Sequence, residues 1–160
     1  GASMLQLAGL QPDKASAIKA LEHSLTSGKA AEIFAQMVAA MGGPADLMEK
    51  PQQYLAAAPV VQDILAPQDG FLASSDTVAV GMAVVRLGGG RSHPSQQIDP
   101  AVGFSHILPA QSKVQHGDLL ARVHAASADA AAIAAAEYLA ALTITDQAPA
   151  AMPLLHHSIG

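Results

Sequence analysis

The sequence predicts a mixed α+β protein in which a helical pair precedes a small domain of short strands and helices. Apolar residues recur at intervals of three and four between Pro12 and Gly43, the period of amphipathic helices. From about Val60 the character changes: β-branched runs and turn residues alternate with helical segments, which indicates strands and helices within one domain.

The helical pair begins with "PDKASAIKALEHSLTSG", where Asp13 is the predicted N-cap and Gly28 the predicted C-terminal stop. The second helix is "KAAEIFAQMVAAMGG", which ends at Gly42. A turn this tight predicts antiparallel packing and leaves one apolar side without a partner. The stripe on the second helix consists of Ile33, Phe34, Met37, Val38 and Met41.

Residues 44–59 contain three prolines and are predicted to form short helical turns in a connecting arm. At the other end of the helical pair, residues 1–3 precede Met4 and resemble a cloning remnant. We therefore place the helical pair at residues 4–43 and leave residues 1–3 out of the fold prediction.

The next segments are predicted as two strands, "VVQDILAP" and "FLASSD", joined by a tight turn at Asp69 and Gly70. The following stretch, "DTVAVGMAVVRLGGG", is ambiguous because its β-branched residues favour a strand. Asp76 or Thr77 as an N-cap and Gly88 as a stop favour a short helix instead, and we predict the helix.

The last elements are a second strand pair and a helix. "SKVQHGDLLARVHA" predicts strand, turn at Gly117, and strand, while "SADAAAIAAAEYLAAL" predicts an alanine-rich helix capped by Ser127. A short strand, Thr143–Thr145, precedes a proline-containing tail.

Composition excludes several classes of protein. With 51% hydrophobic and 13% charged residues, the chain is too apolar for a disordered protein. It has no cysteine, hence no disulfide or thiolate metal site, which fits the cytoplasm. A net charge of -5 without a cluster of Lys and Arg argues against nucleic acid as a partner. No apolar stretch is long enough to span a bilayer, so we also expect no membrane partner.

The glycine run in "VVRLGGGRSHPS" permits two interpretations. Glycines allow backbone N–H groups to converge on a phosphate, but such loops use a helix N-terminus, whereas this run follows a predicted helix. Its spacing matches neither a dinucleotide loop nor a P-loop. We expect a helix stop followed by a mobile loop. Contact of this loop with an anion is possible only through Arg91 and His93. The candidate loop residues are Gly88, Gly89, Gly90, Arg91 and His93.

No other motif predicts catalysis. The seven histidines form no pair with metal-ligand spacing, so we expect no metal site, and no GxSxG elbow is present. Ser105 and His106 are neighbours in "GFSHI", and neighbours in a strand face opposite sides. Aspartates beside turns are common for local backbone reasons.

Five ordered stretches resemble the C-terminal part of the thymidine phosphorylases, within the pyrimidine-nucleoside phosphorylase family. They are "SGKAAEIFAQMVAAMGGPADLMEKPQQYL", "APQDGFLASSDTVAVGMAVVRLGGGR", "QIDPAVGF", "KVQHGDLLARVHA" and "APAAMPLLHHSIG". The resemblance covers the chain from Met4 to its end. It implies that residues 60–160 form an α/β-hammerhead domain of barrel-sandwich type, and that residues 4–43 belong to the larger domain of the parent enzyme.

The resemblance also implies a reaction, the reversible phosphorolysis of thymidine to thymine and 2-deoxyribose 1-phosphate, with phosphate as co-substrate and no cofactor. The family's phosphate- and base-binding groups come from its N-terminal half, so no catalytic residue is carried over to this chain. The glycine loop is then expected near the domain cleft. Departures at Val78, Ser92 and Pro100 weaken the expectation that this loop supplies positive charge.

The resemblance names the expected partners: the N-terminal half of the same polypeptide, a second copy in a homodimer, and the nucleoside and phosphate. The chain alone would then support domain closure and be inactive. Two alternatives stay open. One is a free-standing hammerhead module that binds a partner protein. The other is a parent that acts on uridine, on pyrimidine nucleosides generally or on nucleoside monophosphates.

Overall fold

The computed structural model describes residues 1–150. The chain divides into two compact units, the first ending at Leu55 and the second beginning at Ala56, and each is described by itself. Within the described residues, no helix is both long enough and apolar enough to cross a membrane.

The first unit is helical. Its helices are α1 (Ala2–Leu7), α2 (Lys14–Thr26), α3 (Lys29–Ala40) and α4 (Pro51–Tyr54). The helices α2 and α3 confirm the predicted pair, and α2 packs against both α1 and α3. The helix α1 was not predicted, and it includes two of the three residues set aside as a remnant.

Local side-chain chemistry sets the ends of these helices. Asp13 caps α2, because its Oδ1 accepts a hydrogen bond from the Ser16 backbone N–H at 2.8 Å. The turn between α2 and α3 passes through Gly28 at a φ of 81°, a left-handed conformation that favours glycine. After α3, Gly42 adopts a φ of 85°. The predicted cap and stops are therefore confirmed.

The connecting arm contains turns and α4, as predicted. Its side chains are linked through one carboxylate: the Tyr54 hydroxyl donates to Asp46 Oδ1 at 2.5 Å, and Lys50 Nζ lies 2.9 Å from Asp46 Oδ2. Pro51 occupies the first turn of α4, where its missing N–H would have no helical partner in any case.

As far as residue 150, the second unit contains two three-stranded antiparallel sheets. One has the order β1-β5-β3 and the other the order β4-β2-β6. Consecutive strands therefore always lie in different sheets. The strands are β1 (Val60–Leu65), β2 (Gly70–Ser75), β3 (Gly103–Ser105), β4 (Lys113–Val114), β5 (Leu119–Ala125) and β6 (Leu142–Thr145).

Five of the six strands were predicted and β3 was not, and the two predicted hairpins are wrong. The strand β1 pairs with β5 instead of β2, and β4 pairs with β2 instead of β5. The turn after β1 and the turn before β5 explain these pairings, because their backbone groups form hydrogen bonds with each other. The Ala66 N–H donates to the Asp118 carbonyl at 2.8 Å, and the Gly117 N–H donates to the Ala66 carbonyl at 2.9 Å. Each turn thus carries the chain from one sheet to the other.

Two helices accompany the sheets. The helix α5 (Thr77–Val84) confirms the helical prediction, since Asp76 Oδ1 accepts hydrogen bonds from the N–H groups of the first turn. It continues into a widened turn, Val85–Gly89. The helix α6 (Ala128–Ala140) is capped by Ser127, as predicted.

The core of the second unit joins α6 to both sheets. Tyr138 is buried on α6, and its ring centroid lies 5.0 Å from that of Phe104 on β3. Alanines on the same face of α6 leave room for close approach to β5. The predicted α+β class, helices first and a sheet domain after them, is confirmed. Other core residues are Ile64, Val114, Leu120, Val123, Ala131, Ala134 and Ala135.

Candidate functional site

The predicted cleft loop begins where α5 ends. Gly88 adopts a φ of 100°, and its carbonyl accepts a hydrogen bond from the Asp99 N–H at 2.9 Å. This bond ties together the two ends of the loop 88–99. Because a positive φ cannot continue a right-handed helix, Gly88 is the helix stop that the sequence predicts.

The next two glycines are needed for close packing against α5. A Cβ on Gly89 would lie 2.8 Å from Val84 Cγ1, and one on Gly90 would lie 2.7 Å from Val85 Cγ2. Both distances are shorter than van der Waals contact. Steric fit within the protein therefore accounts for these glycines without any ligand.

The tip of the loop is exposed and bonds mainly to itself. Gln96 Oε1 accepts hydrogen bonds from the Ser92 N–H at 3.0 Å and from Ser92 Oγ at 2.8 Å. His93 Nδ1 lies 2.9 Å from Ser95 Oγ. Arg91 forms no ion pair with any residue in 1–150, so its guanidinium faces solvent.

The electrostatics of the loop disfavour an anion. Carbonyl groups at a helix C-terminus carry partial negative charge, and Gly88–Gly90 lie at that end of α5. The Asp99 side chain adds a carboxylate at the base of the loop, where its Oδ1 accepts from the Ala101 N–H at 2.9 Å. These groups do not form a phosphate cradle. Placement of the loop at a domain cleft stays a prediction.

A cluster that the sequence did not predict lies at the end of β3. Ser105 Oγ is 3.0 Å from His106 Nδ1 and 2.7 Å from His124 Nε2. The expectation that Ser105 and His106 face opposite sides is wrong, because β3 ends at Ser105 and His106 adopts a φ of 53°. The left-handed residue turns its ring back toward the serine. We call these three residues the His–Ser–His cluster.

Strand alternation and pairing explain how His124 reaches this cluster. On β5, Val123 and Ala125 are buried, while Arg122 and His124 are only partly buried and lie on the opposite face. The strand β3 pairs with β5 and places Ser105 opposite Arg122, next to His124 on that face. Alternation alone predicts the shared face of Arg122 and His124, but not the pairing with β3.

A small groove lies between α5 and α6. Arg86 Nε donates to Glu137 Oε1 at 2.7 Å, and Glu137 Oε2 is buried with no hydrogen-bond partner among the described residues. The groove has a volume of about 240 Å³. It is lined by Ala83, Arg86, Leu87, Ala130, Ile133, Ala134 and Glu137.

Across residues 1–150, no three or more side chains of the His, Cys, Asp and Glu types come together as a metal-ligand group. His156 and His157, and all but the first three residues of the stretch "APAAMPLLHHSIG", lie outside the described residues. The contact of His93 with Ser95 agrees with the expectation of local hydrogen bonding.

The chain matches one protein-family model and several known proteins. The family model named pyrimidine nucleoside phosphorylase C-terminal domain matches residues 71–145, which include both sheets except β1. A thymidine phosphorylase of Mesorhizobium japonicum is 47% identical over 94% of this chain, which corresponds to 34% of that protein. A thymidine phosphorylase of Colwellia psychrerythraea is 40% identical over 96% of this chain and 35% of its own length.

The chain thus spans about a third of the length of the curated relatives that it matches. The matched region includes α5, the glycine loop, the His–Ser–His cluster and α6. The resemblance expected from the sequence is confirmed: the chain belongs to the pyrimidine nucleoside phosphorylase family and corresponds to its C-terminal portion.

Proposed function

We propose that this chain is the C-terminal portion of a thymidine phosphorylase and serves the phosphorolysis of thymidine as a structural part of that enzyme. The observation that carries the proposal is the match along nearly the whole chain to one third of proteins that bear this name. In the proposed reaction a phosphate oxygen attacks the anomeric carbon of thymidine. The glycosidic electron pair leaves with the base, giving thymine and 2-deoxyribose 1-phosphate.

Such a reaction needs cationic and N–H groups on the phosphate, a proton donor for the departing base, and a site from which water is excluded. The glycine loop provides a helix C-terminus and a carboxylate instead. We therefore assign phosphate binding and base binding to the N-terminal portion of the enzyme. The role of this chain is to support closure of the domains around the substrate. Phosphate acts as co-substrate, and the reaction uses no further cofactor.

The first unit carries a surface suited to that N-terminal portion. Ile33, Phe34 and Met37 on α3 are between 45% and 62% exposed, and they line a groove of about 550 Å³. An exposed apolar stripe on a helix indicates a missing packing partner. We propose that the preceding part of the enzyme covers this stripe, and that the complete enzyme is a homodimer of the cytoplasm with a role in nucleoside salvage.

The test is a complementation assay. We would measure release of thymine from thymidine, in phosphate buffer, with this chain alone and after co-expression with the N-terminal two thirds of the Mesorhizobium japonicum relative. No turnover by the chain alone and turnover by the pair is the expected result. Turnover by the chain alone would contradict a purely structural role. If the co-expressed pair folds but releases no thymine from thymidine, the proposal that this chain completes that N-terminal portion is contradicted.

A matched pair of variants makes the assay specific. Phe34→Asp places a charge in the stripe on α3 and should abolish complementation. Gln36→Asp places the same charge on α3 at an exposed residue outside the stripe, and should leave complementation unchanged.

A second candidate function is a free-standing module that binds a partner protein. The observation in its favour is the second unit's own core of buried residues from both sheets and α6. The oligomeric state of the chain separates the two functions. A free-standing module should remain monomeric at high concentration, whereas an uncovered stripe on α3 should cause self-association. Phe34→Asp should reverse that association.

A further inference from the structure

We propose that the His–Ser–His cluster is a binding site for a divalent transition-metal ion of the zinc type. The proposal concerns a surface of the second unit and is independent of the proposed function. It rests on the convergence of two imidazole nitrogens, one from β5 and one from the residue that follows β3, and on the backbone conformation that brings the latter there.

The two nitrogens face a single point. His106 Nδ1 and His124 Nε2 lie 3.0 Å and 2.7 Å from Ser105 Oγ. A hydroxyl has one proton, so Ser105 donates to only one of these nitrogens, and the other ring donates its own N–H to the oxygen. A metal ion would instead accept a lone pair from each nitrogen, at the usual Zn–N distance of about 2.0–2.1 Å.

Metal binding requires a tautomer change in one neutral ring and displacement of the Ser105 hydroxyl from its position between the two nitrogens. The ring that now donates toward Ser105 moves its proton to its other nitrogen, and both facing nitrogens then present lone pairs. Ser105 Oγ is released from this hydrogen bonding and becomes available as a weak oxygen ligand. Small movements of the rings then close the two nitrogens around the ion.

The backbone at His106 is a second, independent observation. A φ of 53° is uncommon for a residue with a side chain, although histidine is among those that tolerate it best. Without it, the strand would continue and place the ring on the opposite face of the sheet. Backbone strain of this kind is frequent at functional sites, where the surrounding structure maintains it.

The ligand set and the neighbouring charges favour a particular class of ion. Imidazole prefers zinc, nickel and copper, whereas magnesium and calcium require mostly oxygen ligands. Arg122, which lies opposite Ser105 in the sheet, is neutralised because its Nε donates to Asp63 Oδ1 at 2.7 Å. With two imidazoles and one hydroxyl in the cluster, water or a ligand from outside completes the coordination.

The test is calorimetric titration of Zn²⁺ into the 160-residue chain. His156 and His157 are changed to Asn in every sample, so that these neighbours do not contribute a second site. His106→Asn is a suitable variant because asparagine also tolerates a positive φ. His124→Asn removes the other ring. His116→Asn is the matched control, an exposed histidine on the turn between β4 and β5.

We expect one Zn²⁺ per chain, an affinity at least about tenfold weaker in either cluster variant, and unchanged affinity in the His116 control. Unchanged Zn²⁺ affinity in the cluster variants would overturn the proposal. The absence of Zn²⁺ binding to the chain that carries only the His156 and His157 substitutions would also overturn it. Mg²⁺ at the same concentrations should not bind.

A second measurement uses no substitution in the cluster. It is needed because His124 is partly buried and its replacement can disturb the sheet. The unsubstituted chain is treated with diethyl pyrocarbonate with and without Zn²⁺, and modified residues are located by mass spectrometry. Zn²⁺ should protect His106 and His124 but not His116. Equal modification of the two cluster histidines in both samples would overturn the proposal without any substitution.

Discussion

Arg86 Nε donates to Glu137 Oε1 at 2.7 Å and thereby joins the widened turn after α5 to α6, while the second oxygen of the same carboxylate is buried without a partner in the described part of the chain. The Arg86 side chain is half exposed, so the charge attraction alone is small. The consequence of losing Arg86 is larger, since the carboxylate would then have neither oxygen paired.

Arg86→Ala should therefore lower the free energy of unfolding by about 1–2 kcal/mol, the range for leaving a buried acceptor unpaired. Urea denaturation followed by circular dichroism measures the change. The matched control is Arg122→Ala, because the Arg122–Asp63 pair has the same 2.7 Å distance but the Asp63 side chain is 48% exposed, against 30% for Glu137. That variant should lose less than about 1 kcal/mol. Equal losses in the two variants would contradict the importance of the unpaired oxygen.

Two glycine substitutions should change stability in opposite directions. At Gly70 the φ is 149°, and a Cβ would lie 2.6 Å from the Thr145 carbonyl oxygen on β6, so Gly70→Ala should destabilise by about 1–3 kcal/mol. Gly81 lies inside α5 with open space around its Cβ position. Gly81→Ala should stabilise by about 0.5–1 kcal/mol, because alanine favours the helix. Thermal denaturation of both variants provides the comparison, and a shift of the same sign would refute it.

Asp46 should titrate below the ordinary range of aspartate. The hydrogen bond from Tyr54 lowers the pKa of the Asp46 carboxyl most, followed by that from Lys50, because both contacts favour the charged form. A lowered pKa means that this contribution to stability is present above the ordinary aspartate pKa. It is lost as the pH falls through the lowered value.

Tyr54→Phe removes the stronger contact and should raise the pKa of Asp46 toward its ordinary value. Carbon NMR titration of the side-chain carboxyl measures both proteins. Asp13 is an internal control, since its pKa is lowered by hydrogen bonds with Ser16 instead. An unchanged pKa at Asp46, or an equal change at Asp13, would show that Tyr54 is not the cause.

The glycine loop should not bind inorganic phosphate in this chain. A helix C-terminus and the Asp99 carboxylate both oppose an anion at Gly88–Gly90. Titration with phosphate, followed by the amide resonances of these glycines at constant ionic strength, should show no saturable change. A saturable change that disappears in Arg91→Ala would establish an anion site at the loop.

The helix boundaries of this protein were predictable because they depend on neighbours in sequence. Asp13, Asp76 and Ser127 each accept a hydrogen bond from a backbone N–H two or three residues later. Gly28 and Gly88 end helices through their own φ angles. None of these features requires knowledge of distant residues, so the sequence alone is sufficient.

Strand pairing and the His–Ser–His cluster were not predictable for the opposite reason. A turn residue such as Gly117 indicates that the chain reverses, but not which strand receives its hydrogen bonds. The contact between Ser105 and His124 depends on the pairing of β3 with β5, and the contact with His106 depends on one backbone angle. The stop at Gly88 was predicted as part of the candidate site, whereas this cluster was not.

The alternation of strands between the two sheets also determines the order in which the protein can fold. Because no two consecutive strands within residues 1–150 pair, these strands offer no hairpin as an early local nucleus, and each of their pairings must first close a long loop. During synthesis, the first sheet is incomplete until β5 has emerged from the ribosome, and the second until β6 has emerged. The second unit should therefore fold slowly for its size, and only after residue 145 is free of the ribosome.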